Sequence, residues 1–295
     1  MAPEFVLLVV CLLGGMALKN HFPEHAPASF NAWILKVALP AMILWKIPSL
    51  QVSSHLWLLA LAPWGVFLGA WLVFGWRSVD RGSAGALILT AGLGNTAFIG
   101  LVLVPALLGQ TALPPAVFAD QFGSFLALST VGVWVAATYS GDSPNLKAIS
   151  YKVFTFPPFL ALWVALLLGR YFPPLLIESC TRLAGTLAPL ALFSVGLQLQ
   201  LTGWQALKRW LGMGLLWKLA LAPALTLALG WLFGVEALLL KTAVLQAAMA
   251  PMISGGILAV SHRLNPPLAN AMVGLGIPLS FITVPLWAWG LNHWL

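Results

Sequence analysis

The feature that most limits what this chain can fold into is a series of ten apolar stretches separated by short polar or Pro/Gly-rich breaks. They run over residues 3–19, 30–49, 55–76, 83–109, 114–139, 153–172, 183–202, 210–233, 238–262 and 267–292. Such a stretch, continuous over about 20 residues, spans a bilayer as a helix, whereas a spanning β-strand needs only about ten residues and alternates. With 61% hydrophobic and 7% charged residues, the chain lacks the polar surface a soluble fold requires. A bilayer removes that requirement while demanding that backbone groups be paired inside helices. The expected fold is an all-α integral membrane protein with ten transmembrane helices. The N-terminal run continues into further structure and reads as the first span rather than a cleaved leader.

The net charge of +7 comes from basic residues scattered singly between the apolar runs, so it marks topology and no nucleic-acid surface. Lys19, Arg77, Arg81, Lys147, Lys152, Lys208, Arg209 and Arg263 fall on one side of the ten-span arrangement. Lys46, Arg170, Arg182 and Lys241 fall on the other. The positive-inside rule makes the first side cytoplasmic and both termini extracytoplasmic, in a multi-pass protein of the cell (inner) membrane. Cys11 and Cys180 read as packing residues, the first in a span and the second in a loop. They give no disulfide framework or metal cluster, and no cofactor is implied. The link at 140–152, with Gly141-Asp142-Ser143-Pro144, is too short for a soluble domain and joins two halves.

Those halves repeat. Leu13-Gly14 and Phe22-Pro23 match Leu168-Gly169 and Phe172-Pro173, and Pro40 matches Pro189. LALAP occurs at 59–63 and 219–223, GLVLV at 100–104 faces GILAV at 256–260, and Pro114-Pro115 faces Pro266-Pro267. Ordered matches at an offset of about 150 to 160 residues indicate duplication. Each repeat holds five spans, an odd number, so the second enters the membrane from the opposite side. Two inverted five-helix repeats are an architecture by which secondary transporters alternate access.

In the aligned fourth and ninth spans, Asn95 falls opposite Pro251. Pro251 lacks an amide donor and clashes with the preceding turn, while Asn95, near Gly92 and Gly94, can bond locally to the backbone. Both spans should therefore break at mid-membrane, where freed backbone must line a cavity or pack on protein. The N-terminal end of each second half-helix then suits an anion such as a carboxylate. Asn95, Thr96, Pro251 and Ser254 are the candidate binding residues at the breaks, with Gln121, Ser124 and Gln246 nearby on other polar positions. Asp120, the carboxylate placed well inside a span, is the candidate for proton coupling. A structural role as partner to an amide or lysine is equally open to it.

Lys36 and Lys218 fall within spans and are expected to snorkel to the interface. Gln198, Asn270, Ser280 and Thr283 suit a pathway lining or helix–helix hydrogen bonds. No histidine sits mid-span. Paired acids, a Ser/His/Asp set and a phosphate-cradling loop are absent from the sequence, which argues against an enzyme or an ATP-driven pump.

The segments GNTAFIGLVLVPALLGQTALPPAVFADQFGSF at 94–125 and LAPLALFSVGLQL at 187–199 resemble the auxin efflux carrier family, related in fold to bile acid:sodium symporters. The resemblance implies scaffold helices 1–2 (residues 1–54) and 6–7 (140–209). It also implies a transport domain of helices 3–5 (55–139) and 8–10 (210–295), with broken helices 4 and 9 crossing. It implies carriage of small organic anions, such as dicarboxylates or auxin-like acids, by an elevator-type movement, with a homodimer as a candidate assembly. Family members in plants often have proline at both crossings, whereas here the first is Asn95. A cation/proton exchanger of similar architecture and a non-transporting membrane sensor are the alternatives.

Overall fold

The computed structural model describes residues 3–76, 80–143, 146–199 and 208–294, which are helical with no strand. Arg77, Pro144 and the stretch 200–202 at the end of the seventh apolar run lie outside the described residues. In chain order the helices are α1 (Pro3–Leu18), α2 (Ala26–Ser49), α3 (Leu56–Gly75), α4 (Arg81–Gly92), α5 (Thr96–Leu108), α6 (Gln110–Ser140) and α7 (Leu146–Phe154). They continue with α8 (Pro157–Tyr171), α9 (Pro174–Gln198), α10 (Lys208–Leu232), α11 (Ala237–Ala248), α12 (Ile253–Ser261) and α13 (Pro266–Trp294). Six, namely α2, α3, α6, α9, α10 and α13, are long and apolar enough to cross a membrane.

The outer faces show why lipid is the matching solvent. Leu61, Leu68 and Leu72 lie along one side of α3 and are each about half exposed (56%, 49% and 54%). The spacing of seven and four residues puts them on one helical stripe. A stripe of this kind has no reason to face water.

Two groups of helices pack mainly within themselves. In the first, α1 lies on the C-terminal half of α9, and α2 packs on α8 and α9. The approach of α1 to α9 depends on two glycines: a Cβ on Gly196 would stand 2.9 Å from Gly15 Cα and would run into the Leu12 carbonyl. Small residues permit such close contact between membrane helices. In the second group α3 packs on α4, α6 and α11, while α12 and α13 pack on α4 and on each other. Helix α4 is the centre of this group. Its small-residue sequence lets neighbours close around it, and every residue from Ser83 to Gly92 is buried.

The beginnings of α4 and α13 are tied together. Asp80 caps α4 by accepting from the Ser83 amide at 2.9 Å, and Asn265 caps α13 by accepting from the Leu268 amide at 3.2 Å. Asn265, with φ of 39°, also donates from Nδ2 to Ser83 Oγ at 2.6 Å.

Two expectations are corrected here. Cys180 is buried within α9 rather than in a loop, because that helix starts at Pro174, nine residues before the apolar run begins. Lys218 does not snorkel: it is 1% exposed and donates to the Ala247 carbonyl at 2.7 Å. Lys36, by contrast, is exposed on α2.

Candidate functional site at the helix crossing

Helices α4 and α11 are each 12 residues long, or about 18 Å at 1.5 Å per residue, roughly half a hydrocarbon core. Each stops in extended backbone, at Leu93 and at Met249, and the chain resumes as α5 and α12. The two interruptions meet. Gly94 and Pro251 form an isolated antiparallel bridge, in which the Asn95 amide donates to the Ala250 carbonyl at 2.8 Å and the Met252 amide to the Leu93 carbonyl at 3.0 Å. Backbone groups that leave a helix inside a membrane must find partners in protein, and each break here supplies partners for the other. Pro251 is tolerated because the bridge uses the amides at 95 and 252 and needs none at 251. The pairing is offset by one residue from the sequence alignment, so that Asn95 stands opposite Ala250.

Two of the amides expected to face an anion are therefore spent on the crossing. What remains is asymmetric. The Asn95 side chain caps α5 by accepting from the Phe98 amide at 3.3 Å, while its Nδ2, buried, has no partner. No side chain caps α12, whose N-terminal turn carries Ser254. Amide donors at such a helix start attract negative charge.

A cavity of about 240 Å³ opens against these groups, lined by Asn95, Asp120, Gln121, Ser129 and Ser254 among its polar residues. Leu35 and Leu39 of α2, Phe125 of α6 and Phe156 ahead of α8 form much of its apolar wall. The volume falls below the roughly 300–1,000 Å³ of drug-sized pockets and suits a small solute.

Asp120 and Gln121 lie on a wide π-helical turn, Ala119–Phe125, within α6. Such turns recur at functional sites. Both side chains are buried, and Gln121 Nε2 donates to Asp120 Oδ2 at 2.7 Å while Thr96 Oγ1 donates to Oδ1 at 2.5 Å. Asp120 thus links α6 to the first residue of α5. Gln121 Oε1 has no partner.

Of the residues singled out in the sequence, Asn95, Asp120, Gln121 and Ser254 line the cavity. Thr96 reaches it through Asp120. Pro251 shapes the crossing, and Ser124 is buried away from the lining. Gln246 is placed behind the crossing: its Nε2 donates to the Ala116 carbonyl at 2.9 Å and its Oε1, unpaired, occupies the space that a side chain at residue 100 would fill. Gln198 and Asn270 line a separate cavity of about 740 Å³ that shares Ile253 with the smaller one, and Ser280 bonds within its own helix. The apolar lining residues were not legible, because Leu and Phe carry no signal in a chain so rich in them. Lys218 was visible as a charge but not as part of the crossing.

Crossed, mutually paired helix breaks around a small buried cavity define a membrane transporter. The comparisons give the family: its sequence profile, described as membrane transport protein, matches residues 1–143 and 144–288, and the chain belongs to this family, that of the auxin efflux carriers. The chain is similar to a transporter of uncharacterized function from Methanothermobacter thermautotrophicus, 22% identical over 293 residues, covering 96% of this chain and 95% of the relative. It is also similar to one from Methanocaldococcus jannaschii, 24% identical over 312 residues, covering 98% and 99%.

Proposed function

We propose that the protein carries small organic anions across the cell membrane by an elevator-type alternation between two inverted five-helix repeats of a ten-span fold. The observation that carries this reading is the meeting of an unpartnered, buried Asn95 Nδ2 with the uncapped start of α12 at one small cavity. Both features favour a carboxylate, and neither favours a cation.

In this reading α1, α2, α8 and α9 form the scaffold, and α3–α6 with α10–α13 form the moving body. The cavity lies between them, with Leu35, Leu39 and Phe156 on one side and the crossing on the other. Asp120 couples the movement to a proton. As a carboxylate it accepts from both Thr96 and Gln121 and repels an anion in the same cavity. Once protonated it is neutral, can donate to Thr96 Oγ1, and no longer repels an anion in the cavity. Proton and anion then enter together.

Uptake of labelled mono- and dicarboxylates into proteoliposomes, with proton or sodium gradients imposed separately, tests the proposal. Uptake of an organic acid driven by a proton gradient is the expected result. Movement of a cation with no organic acid would favour the exchanger, and no movement under any gradient would favour a sensor.

A further inference from the structure

Asp120 and Lys218 are the acid and the base among the buried side chains of the described residues. The acid is answered by two donors. The base has one neutral acceptor, the Ala247 carbonyl, and among the described residues no carboxylate lies within ion-pair distance of it. A buried ammonium without a counter-charge is costly, so its surroundings must compensate. Part of the compensation is visible. Ala247 is in the last turn of α11, where the helix carries partial negative charge from its unpaired carbonyls.

The ammonium also touches the crossing itself. A Cβ built on Gly94 would stand 3.0 Å from Lys218 Nζ and 3.3 Å from the Gln246 carbonyl. Gly94 pairs with Pro251, and the next residue, Asn95, lines the cavity. The Lys218 charge is thus separated from the cavity by the backbone of the crossing, and the carboxylate on the cavity lining is Asp120, which the carrier reading holds neutral while an anion is bound. Helix α10 brings it there on a π-helical turn, Trp217–Leu221, just ahead of Pro223, which cannot donate an amide to the preceding turn.

We propose that Lys218, in its ammonium form, gives the cavity its preference for anions, and for dianions over monoanions. The inference rests on the carrier reading above. Lys218 acts through space across the crossing and does not touch the substrate, so it is a specificity-determining residue rather than a binding one. Two unit charges about 10 Å apart, at an effective dielectric of about 20, change an affinity by roughly ten-fold. A second carboxylate on the substrate adds to that effect.

The test compares wild type, Lys218→Gln, Lys218→Met and Lys218→Arg in proteoliposomes, using succinate and butyrate as probes of equal chain length. The readout is the KM of each acid, or its inhibition constant where it binds without moving. With Gln or Met, the succinate constant should rise about ten-fold or more and the butyrate constant by clearly less, with kcat within a few-fold. Arg should restore the wild-type ratio. A residue that only tethers α10 to α11 would change kcat or stability for both acids alike. An unchanged succinate-to-butyrate ratio in whichever neutral variant folds therefore overturns this inference and leaves the carrier reading standing. If wild type neither binds nor moves either acid, both fail together.

Discussion

The Asn95 amide donates to the carbonyl of Ala250 at 2.8 Å, joining residues 155 positions apart at the point where two helices are interrupted. The bond makes the crossing a single backbone unit. Its partner bond, Met252 to Leu93, closes the same antiparallel bridge. Side-chain changes at residue 95 should consequently leave the crossing intact and act on whatever the side chain itself serves.

Asn95→Ala removes the cap on α5 and the unpaired Nδ2 while keeping the main-chain bond to Ala250. Transport should fall by about ten-fold or more, in keeping with the loss of a charge-assisted hydrogen bond, and insertion should be unaffected. Initial uptake rates normalised to reconstituted protein measure this. Wild-type rates would sink the assigned site.

Asp120→Asn keeps the shape of the carboxyl but can neither gain nor lose a proton. Exchange of substrate for substrate should persist, while stimulation of net uptake by an inward proton gradient should disappear. An Asn variant that still concentrates substrate under such a gradient would remove Asp120 from the coupling step.

Gly100 and Gln246 are coupled by space. A Cβ on residue 100 would collide with Gln246 Oε1, so Gly100→Ala should destabilise the protein by about 1–3 kcal/mol through overpacking. Gln246→Ala should cost a similar amount by opening a void and by removing one of two donors to the Ala116 carbonyl, which also accepts from the Ala119 amide. Because the first change intrudes on volume that the second vacates, the double variant should be more stable than the sum of the two losses predicts. Thermal unfolding in detergent supplies the four corners of the cycle, and strict additivity would refute the contact.

Asp80, outside the membrane-spanning segments, is held below the usual aspartate range, first by its hydrogen bond with Ser83. A carboxylate of lowered pKa contributes stability that is fully present above its unfolded value, about 3.9, and is lost as pH falls through the lower folded value. Asp80→Ala should cost about 1 kcal/mol at neutral pH, as for other helix caps. That difference should vanish on acidification through the lower folded value. A gap between wild type and variant that stays constant down to complete protonation would show that the carboxylate charge is irrelevant to the cap.

Membrane residence was written in the chain itself, since apolar stretches of spanning length leave a helix in lipid as their stable outcome. So were the two places where the helix fails. Pro251 cannot donate an amide and Asn95 competes for the backbone with its own side chain, and both are local properties. What becomes of the freed backbone is not local. The pairing of Gly94 with Pro251, its one-residue offset from the sequence alignment, and the spending of the Asn95 and Met252 amides on the bridge all depend on two segments meeting. The same holds for side chains whose partners are distant. Gln246 reads as a binding residue until Gly100 and Ala116 are seen around it, and Lys218 reads as a snorkelling lysine until α11 ends beside it. A residue's type sets what it can bond to, but burial and neighbours decide what it does bond to, and only the tertiary structure supplies those.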